Sequence, residues 1–362
     1  MTTALLAGGG TAGHVNPLLA LADHWRLVDP QVDVIVLGTA EGLEARLVPA
    51  RGFELVTIAR VPFPRRLDAG TWRFPGRFAG AVRRTRALIR HRGVDVVVGF
   101  GGYASAPAYL AAWLERVPIV AHEANARPGI ANRLAARLGG RIAITFAGTP
   151  LRGARLVGMP LRSEIDTLDR GASRAEALQY FGLAEARPVL LVTGGSTGAR
   201  RINEAVTGAA AQISAAGWQI LHITGTDRGG VEPNVSGYRA VPYCDRMDLA
   251  FAAADLVLCR AGAATVTELA AIGLPSVMVP YASGNGEQQL NAKELVGAGG
   301  AVLVPDAELT PQWVATNLVP LLGRRSELQS MALAAATVGR RGGSAALLQL
   351  VREALTGSRG VG

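Results

Sequence analysis

At 362 residues the chain is longer than one hydrophobic core ordinarily serves, and its 49% apolar and 18% charged residues suit buried sheets and exclude a disordered chain. A net charge of +9 calls for an anionic partner, whether nucleic acid, an acidic bilayer or a phosphorylated substrate, but a 5% aromatic share counts against a stacking platform for single-stranded nucleic acid. The two cysteines, Cys244 and Cys259, lie far outside C-x-x-C spacing, giving neither a zinc nor a redox-pair signature, and no stretch of about 18 apolar residues or basic leader offers a membrane span or a secretory signal.

In chain order, the apolar run 4–7 predicts a strand that enters GGGTAGHVNP at 8–17 directly. Asn16 is suited to cap a helix and Pro17 to open it, so the glycines are expected between strand end and helix start. Bare amides and the positive end of a helix dipole converge there, which favours a phosphate or a sugar close to the backbone. The spacing matches neither G-x-G-x-x-G with its distant acidic residue nor the P-loop. His14, at the centre of the turn, is a candidate base because histidine is the side chain whose unperturbed pKa lies near neutrality; a structural hydrogen-bonding role is the alternative.

A second strand at 32–37 leads through Gly38-Thr39 into an amphipathic helix ending near Ala50, the rhythm of a parallel sheet. From 60 to 92 the chain carries Arg65, Arg66, Arg73, Arg77, Arg83, Arg84, Arg86, Arg90 and Arg92 interleaved with Phe63, Trp72, Phe74 and Phe78. That mixture fits a surface lying on an anionic bilayer, with a solvated basic helix face and core aromatics as the competing reading. The apolar run 94–98 ends in GFGGYASAP at 99–107, a repeat of the strand, glycine pair and early proline. After the strand 118–121 come His122-Glu123-Ala124-Asn125; ligands bind at the carboxyl ends of strands in open α/β sheets, so Glu123 and Asn125 are site candidates by position.

A strand at 142–146 and GMPLR at 158–162 close the first half, and the charged helical residues 163–187 lead into the second. There the architecture restarts: a strand at 188–193, then Gly194-Gly195-Ser196-Thr197-Gly198-Ala199, then strands at 219–223, 239–241 and 256–259. The stretch 260–291 reads as a loop at Gly262, a helix to about Ile272, a stop at Gly273-Leu274-Pro275, a strand at 276–279 and a glycine-broken entry into a helix near Glu287. Thr265, Thr267, Glu268, Glu287, Gln288 and Asn291 put dense hydrogen-bonding capacity into this apolar unit, either for sugar hydroxyls or, at Thr265 and Glu268, as a capping box. A last helix at about 344–355 is expected to pack back on the body. The whole predicts two doubly wound Rossmann-like domains, 1–162 and 163–340, facing across a cleft, with 341–362 as the returning helix.

Taken together, GGGTAGHVNP, GFGGYASAP, HEAN, GMPLR, GGSTGA and the stretch 260–291 are very similar to the MurG family, over nearly the whole chain and in the family's order. The resemblance implies a GT-B N-acetylglucosaminyltransferase of peptidoglycan synthesis on the cytoplasmic face of the bacterial membrane, bound peripherally. Its donor would be UDP-N-acetylglucosamine and its acceptor the undecaprenyl-diphosphate-linked muramoyl-pentapeptide, with no nucleic acid, no cofactor and no fixed metal. It implies that Ser196 and its loop meet the donor diphosphate with Arg162 nearby, that Glu268 bridges the ribose hydroxyls, and that Ala263, Ala264, Thr265, Val266 and Thr267 present a helix start to the α-phosphate. Gln288 and Asn291 would hold the sugar, Cys244 would sit beside the uracil, and Thr11, Ala12, Gly13 and Asn125 would line the sugar from the other half. His14 is the preferred base, with Glu123 the alternative. Ala124, Thr197 and Glu287 depart from the glutamines common in relatives. Rival readings on the same fold are a transferase for another acceptor, a UDP-N-acetylglucosamine isomerase, or a nucleotide-sugar sensor.

Overall fold

The computed structural model describes residues 1–62, 69–195, 197–226, 233–281 and 286–359. The chain divides into two compact units, Met1–Arg162 with Arg341–Gly362, and Ser163–Arg340.

The first unit is built on β1 (Thr3–Ala7), α1 (Ala12–Val28), β2 (Asp33–Gly38), α2 (Glu44–Ala50), β3 (Glu54–Thr57), α3 (Ala69–Arg92), β4 (Val96–Gly99), α4 (Ser105–Leu114), β5 (Ile119–Glu123), α5 (Ile130–Arg137), β6 (Arg141–Ile144) and β7 (Arg155–Leu156). All seven strands are parallel, in the order β3-β2-β1-β4-β5-β6-β7. The central strands are continuous apolar runs because both faces are covered, and strand alternation sorts their side chains. Leu6, Val36 and Val98 pack with Leu18, Leu21 and Trp25 of α1 and with Leu347, Leu350 and Val351 of the C-terminal helix. Their neighbours Leu5, Ile35 and Val97 pack on the opposite face with Val82, Ile89 and Tyr109 from α3 and α4. The C-terminal helix, Gly343–Arg359, thus completes one face of this sheet, lying against α1 and β4 to β6.

The second unit holds α6 (Ser163–Asp166), α7 (Arg170–Phe181), β8 (Val189–Thr193), α8 (Arg200–Gly208), α9 (Ala210–Ala215), β9 (Gln219–Ile223), β10 (Tyr238–Val241), α10 (Met247–Ala253), β11 (Leu256–Cys259), α11 (Ala263–Ala271), β12 (Ser276–Met278), α12 (Glu287–Gly297) and β13 (Ala301–Leu303). Its six parallel strands run β10-β9-β8-β11-β12-β13. The helix α7 is capped at both ends, by the Asp169 carboxylate accepting from the Ala172 amide at 3.1 Å and by Gly182 in the left-handed region at φ 66°.

Two helix starts differ from the sequence expectation. Helix α1 begins at Ala12 with Thr11 before it, so Asn16 is not a cap and Pro17 lies inside the helix. Pro17 is the sixth helical residue, past the first amides that lack intrahelical partners, so it forfeits one internal bond, to the Gly13 carbonyl, and the start moves back to the glycines. Helix α11 begins at Ala263 after Gly262 and has no side-chain cap, so Thr265 is its third residue and the capping-box reading of Thr265 and Glu268 falls. Among the described residues no helix is long and apolar enough to cross a membrane.

Candidate active site

Each sheet changes winding direction once, between β1 and β4 in the first unit and between β8 and β11 in the second. A crevice opens at the carboxyl ends of the strands at such a point, and there the glycine-rich loops stand. In the first unit the loop 8–11 follows β1 and the loop 100–104 follows β4. They meet at glycines: a Cβ on Gly102, at φ 78°, would overlap the Gly9 carbonyl, and one on Gly101 would lie 3.1 Å from Nε2 of His14. In the second unit Gly198, at φ 75°, meets Thr224 and Gly225 so closely that neither glycine has room for a side chain.

His14 sits in the first turn of α1, half-buried, with Nδ1 3.1 Å from the Gly9 carbonyl and 3.4 Å from Oγ1 of Thr11. A carbonyl only accepts, so the Nδ1 proton belongs to that bond and Nε2 bears the imidazole lone pair. Thr11 is exposed, and Ala12 and Gly13 are half-buried beside it. Glu123 ends β5 and is 3% exposed. Its Oε1 accepts from the Asn125 amide at 3.0 Å, and its Oε2 from the Gly129 amide and from Nδ2 of Asn132, both at 2.9 Å. Asn132 accepts in turn from the Tyr109 hydroxyl at 2.8 Å, a phenol whose pKa burial pushes well above its usual value. Glu123 therefore organises the loop that carries half-buried Asn125.

Sequence reasoning missed Glu44, which is completely buried. Its Oε2 accepts from the Gly10 amide at 2.8 Å, and its Oε1 from the Thr39 amide at 2.9 Å and the Thr39 hydroxyl at 2.8 Å. Side chains on Gly9, Gly38 or Gly42 would collide with it. The legible signal was an acidic residue opening a helix just past a strand end, bracketed by glycines in GTAEGLE at 38–44.

In the second unit Ser196 lies outside the described residues, while Gly194, Thr197 and Gly198 frame its loop between β8 and α8. A buried chain of hydrogen bonds stands behind it. Asn203 Nδ2 donates to the Thr224 carbonyl at 2.9 Å, its Oδ1 is 3.1 Å from Nε2 of His222, and Nδ1 of His222 pairs with the Tyr238 hydroxyl. Burial drives the His222 pKa down to about 4. This neutral network, also absent from the sequence reading, fixes the strand end against which Gly198 rests.

Helix α11 presents Ala264, Thr265, Thr267 and Glu268 half-exposed, with Ala263 and Val266 buried; Thr267 Oγ1 donates to the Ala263 and Ala264 carbonyls at 2.8 and 2.9 Å. Gln288 accepts from the Tyr281 amide at 2.9 Å, whereas Asn291 is fully buried under the same helix. Cys244 is half-buried and Arg162 ends the first unit half-buried. Among the described residues no group of three or more His, Cys, Asp or Glu side chains could hold a metal ion.

Along α3 the structure sorts the arginines. Arg86 and Arg90 both bond Glu115 at 2.6 Å, holding its carboxyl below the usual range, and Arg92 pairs with Glu54 and Asp33. Arg86 is thus not an open cation, while Arg73, Arg83 and Arg84 are exposed. Phe74 and Phe78 stack at 5.5 Å and pack on the core, leaving Trp72, 88% exposed, as the outward aromatic. Phe63, Arg65 and Arg66 lie outside the described residues.

Two doubly wound units with glycine loops at both switch points have the GT-B architecture, and the comparisons make it that of a glycosyltransferase. Residues 4–144 match the glycosyltransferase family 28 N-terminal domain and residues 189–347 its C-terminal domain. A protein of Leifsonia xyli subsp. xyli named UDP-N-acetylglucosamine–N-acetylmuramyl-(pentapeptide) pyrophosphoryl-undecaprenol N-acetylglucosamine transferase is 58% identical over 98% of this chain and 99% of its own. The Clavibacter michiganensis protein of the same name is 57% identical over 98% of this chain and 97% of its own. The crystal structure of Acinetobacter baumannii MurG superposes with a TM-score of 0.79 at 27% identity, covering 98% of this chain and all of that one. The chain belongs to glycosyltransferase family 28 and, within it, to the MurG family.

Proposed function

We propose that the chain transfers N-acetylglucosamine from UDP-N-acetylglucosamine to the 4-hydroxyl of undecaprenyl-diphospho-N-acetylmuramoyl-pentapeptide, forming a β-1,4 bond with inversion. The observation that carries this reading is family membership along nearly the whole chain, joined to glycine-rich loops at both switch points. The acceptor oxygen bonds to C1 as the bond from C1 to the diphosphate breaks; the electron pair leaves on UDP, and the hydroxyl proton passes to a base.

His14 is that base in our reading, because its Nδ1 is committed to the Gly9 carbonyl and Nε2 has the lone pair to receive a proton. The alternative, Glu123, has both oxygens taken by three donors and serves the Asn125 loop instead. On the donor side, Ser196 with its loop amides and the start of α11 from Ala263 to Thr267 would meet the departing diphosphate. Positive helix ends and glycine amides suit that charge without a resident cation. Glu268 would take the ribose hydroxyls, Gln288 with Asn291 the sugar and Cys244 the uracil edge. The first unit would reach the acceptor at an anionic bilayer surface on the cytoplasmic face, through Trp72, Arg73, Arg83 and Arg84 of α3.

A UDP-release assay with and without the lipid-linked muramoyl acceptor tests the reading: release is expected only with acceptor present. Release without acceptor, conversion of the donor to an isomer, or no release at all would each overturn it. His14→Ala should lower kcat by ~100-fold or more with little change in donor affinity, and a chelator should leave turnover of demetallated protein intact.

A further inference from the structure

The Gly9–Gly10 peptide lies between two side chains that the reaction scheme does not otherwise connect. Its N–H donates to Oε2 of Glu44 at 2.8 Å, and its C=O accepts from Nδ1 of His14 at 3.1 Å. The chain has no cis peptide bond among the described residues, so the two groups of this peptide point opposite ways and place the carboxylate and the imidazole on opposite sides of it. We propose that Glu44 is a positioning residue for proton transfer, acting on His14 through the Gly9–Gly10 peptide as a carboxylate acts directly on a histidine in a hydrolase triad. This rests on the reading of His14 as the base.

Three observations support the arrangement. Glu44 is fully buried and forms no ion pair among the described residues; its charge is met by the Gly10 amide and by the amide and hydroxyl of Thr39. A charged acceptor makes a stronger hydrogen bond than a neutral one, and hydrogen bonds in series polarise each other, so the Gly9 carbonyl becomes a better acceptor for the imidazole N–H. That bond fixes the tautomer, with the proton on Nδ1 and the lone pair on Nε2, as required to accept the proton of an attacking hydroxyl. Finally, four glycines make the geometry possible. Gly9, Gly38 and Gly42 leave space for the carboxylate, and Gly102 lets the second loop close over the Gly9 carbonyl. A peptide so enclosed cannot flip without displacing Glu44 on one side or the second loop on the other.

The test is a double-mutant cycle on the full chain with donor and lipid-linked acceptor. Glu44→Gln keeps the volume and removes the charge. It is expected to lower kcat ~10- to 100-fold with donor KM changed less than about 3-fold, since orientation of a catalytic group is worth about that much. On a His14→Ala background the same change should cost less than about 2-fold, because the residue it positions is gone. Unaltered kcat in Glu44→Gln, or its full loss multiplied onto that of His14→Ala, would overturn the proposal while leaving His14 as base. Unaltered turnover in His14→Ala alone would remove the base reading, and the relay with it. Should Glu44→Gln fail to fold, the nitrogen-15 spectrum of histidine-labelled unaltered protein decides. His14, assigned by its absence in His14→Ala, must carry its neutral-state proton on Nδ1; a proton on Nε2 would refute the relay.

Discussion

Glu44 and Glu123 are buried carboxylates without an ion pair among the described residues, each met by three hydrogen-bond donors, mostly from the glycine-containing loops they hold. Leaving such donors unmatched in the interior costs roughly 1–3 kcal/mol, so these residues belong to the stability of the loops before they belong to any chemistry. Glu123→Gln turns one acceptor into a donor opposite either the Asn125 amide or the Gly129 and Asn132 donors. We expect it to lower stability by about 1–3 kcal/mol in thermal unfolding, with a turnover loss well below that of His14→Ala. An intact melting profile combined with a loss equal to that of His14→Ala would transfer the role of base to Glu123.

At the scale of elements, α3 shows how charge alone misreads a surface. Its sequence offers arginines throughout, yet Arg86 and Arg90 are engaged by Glu115 at the C-terminal end of α4 and Arg92 by Glu54 and Asp33, while Phe74 and Phe78 turn to the core. What faces outward is Trp72 with Arg73, Arg83 and Arg84. Substituting Arg73, Arg83 and Arg84 together by alanine should sharply reduce flotation with anionic liposomes and leave unfolding unchanged, since exposed cations attract acidic lipid at about 1 kcal/mol each. Equal flotation would end the membrane role of this helix. The strands, by contrast, were legible from the chain: 219–223 and 256–259 were read with the bounds of β9 and β11, because short, mostly apolar runs between turn residues admit few other structures. Helix starts at the glycine loops were not, since Asn16-Pro17 and Thr265-x-x-Glu268 are good local caps that the loop geometry overrides. The same limit hid Glu44 and Asn203. Each serves a backbone group far along the chain, the Gly10 amide for Glu44 and the Thr224 carbonyl for Asn203, and such a pairing leaves at most a local trace in the sequence.

On the scale of the molecule, the two units repeat one plan, and each carries one buried neutral histidine at its sheet. In the first, His122 on β5 places Nε2 3.0 Å from the Gly158 carbonyl and 3.2 Å from the Thr145 hydroxyl, and Nδ1 has no partner among the described residues. In the second, His222 on β9 joins Tyr238 to Asn203. Burial lowers both pKa values from 6.5 to about 4. The unfolded chain therefore binds protons at these sites below pH 6.5 while the folded chain refuses them down to about 4, so stability is complete above pH 6.5 and falls as the pH drops through that window. Between pH 6.5 and 5 the loss is roughly 2 kcal/mol per histidine at 1.36 kcal/mol per pH unit. Carboxylates held low by arginines, Glu115 and Glu353 among them, add their own loss only nearer their ordinary range. Thermal unfolding from pH 7 to pH 5 should thus show a steep loss that His122→Gln and His222→Gln, combined, flatten relative to the unaltered chain; an equal slope in the double variant would place the acid sensitivity elsewhere.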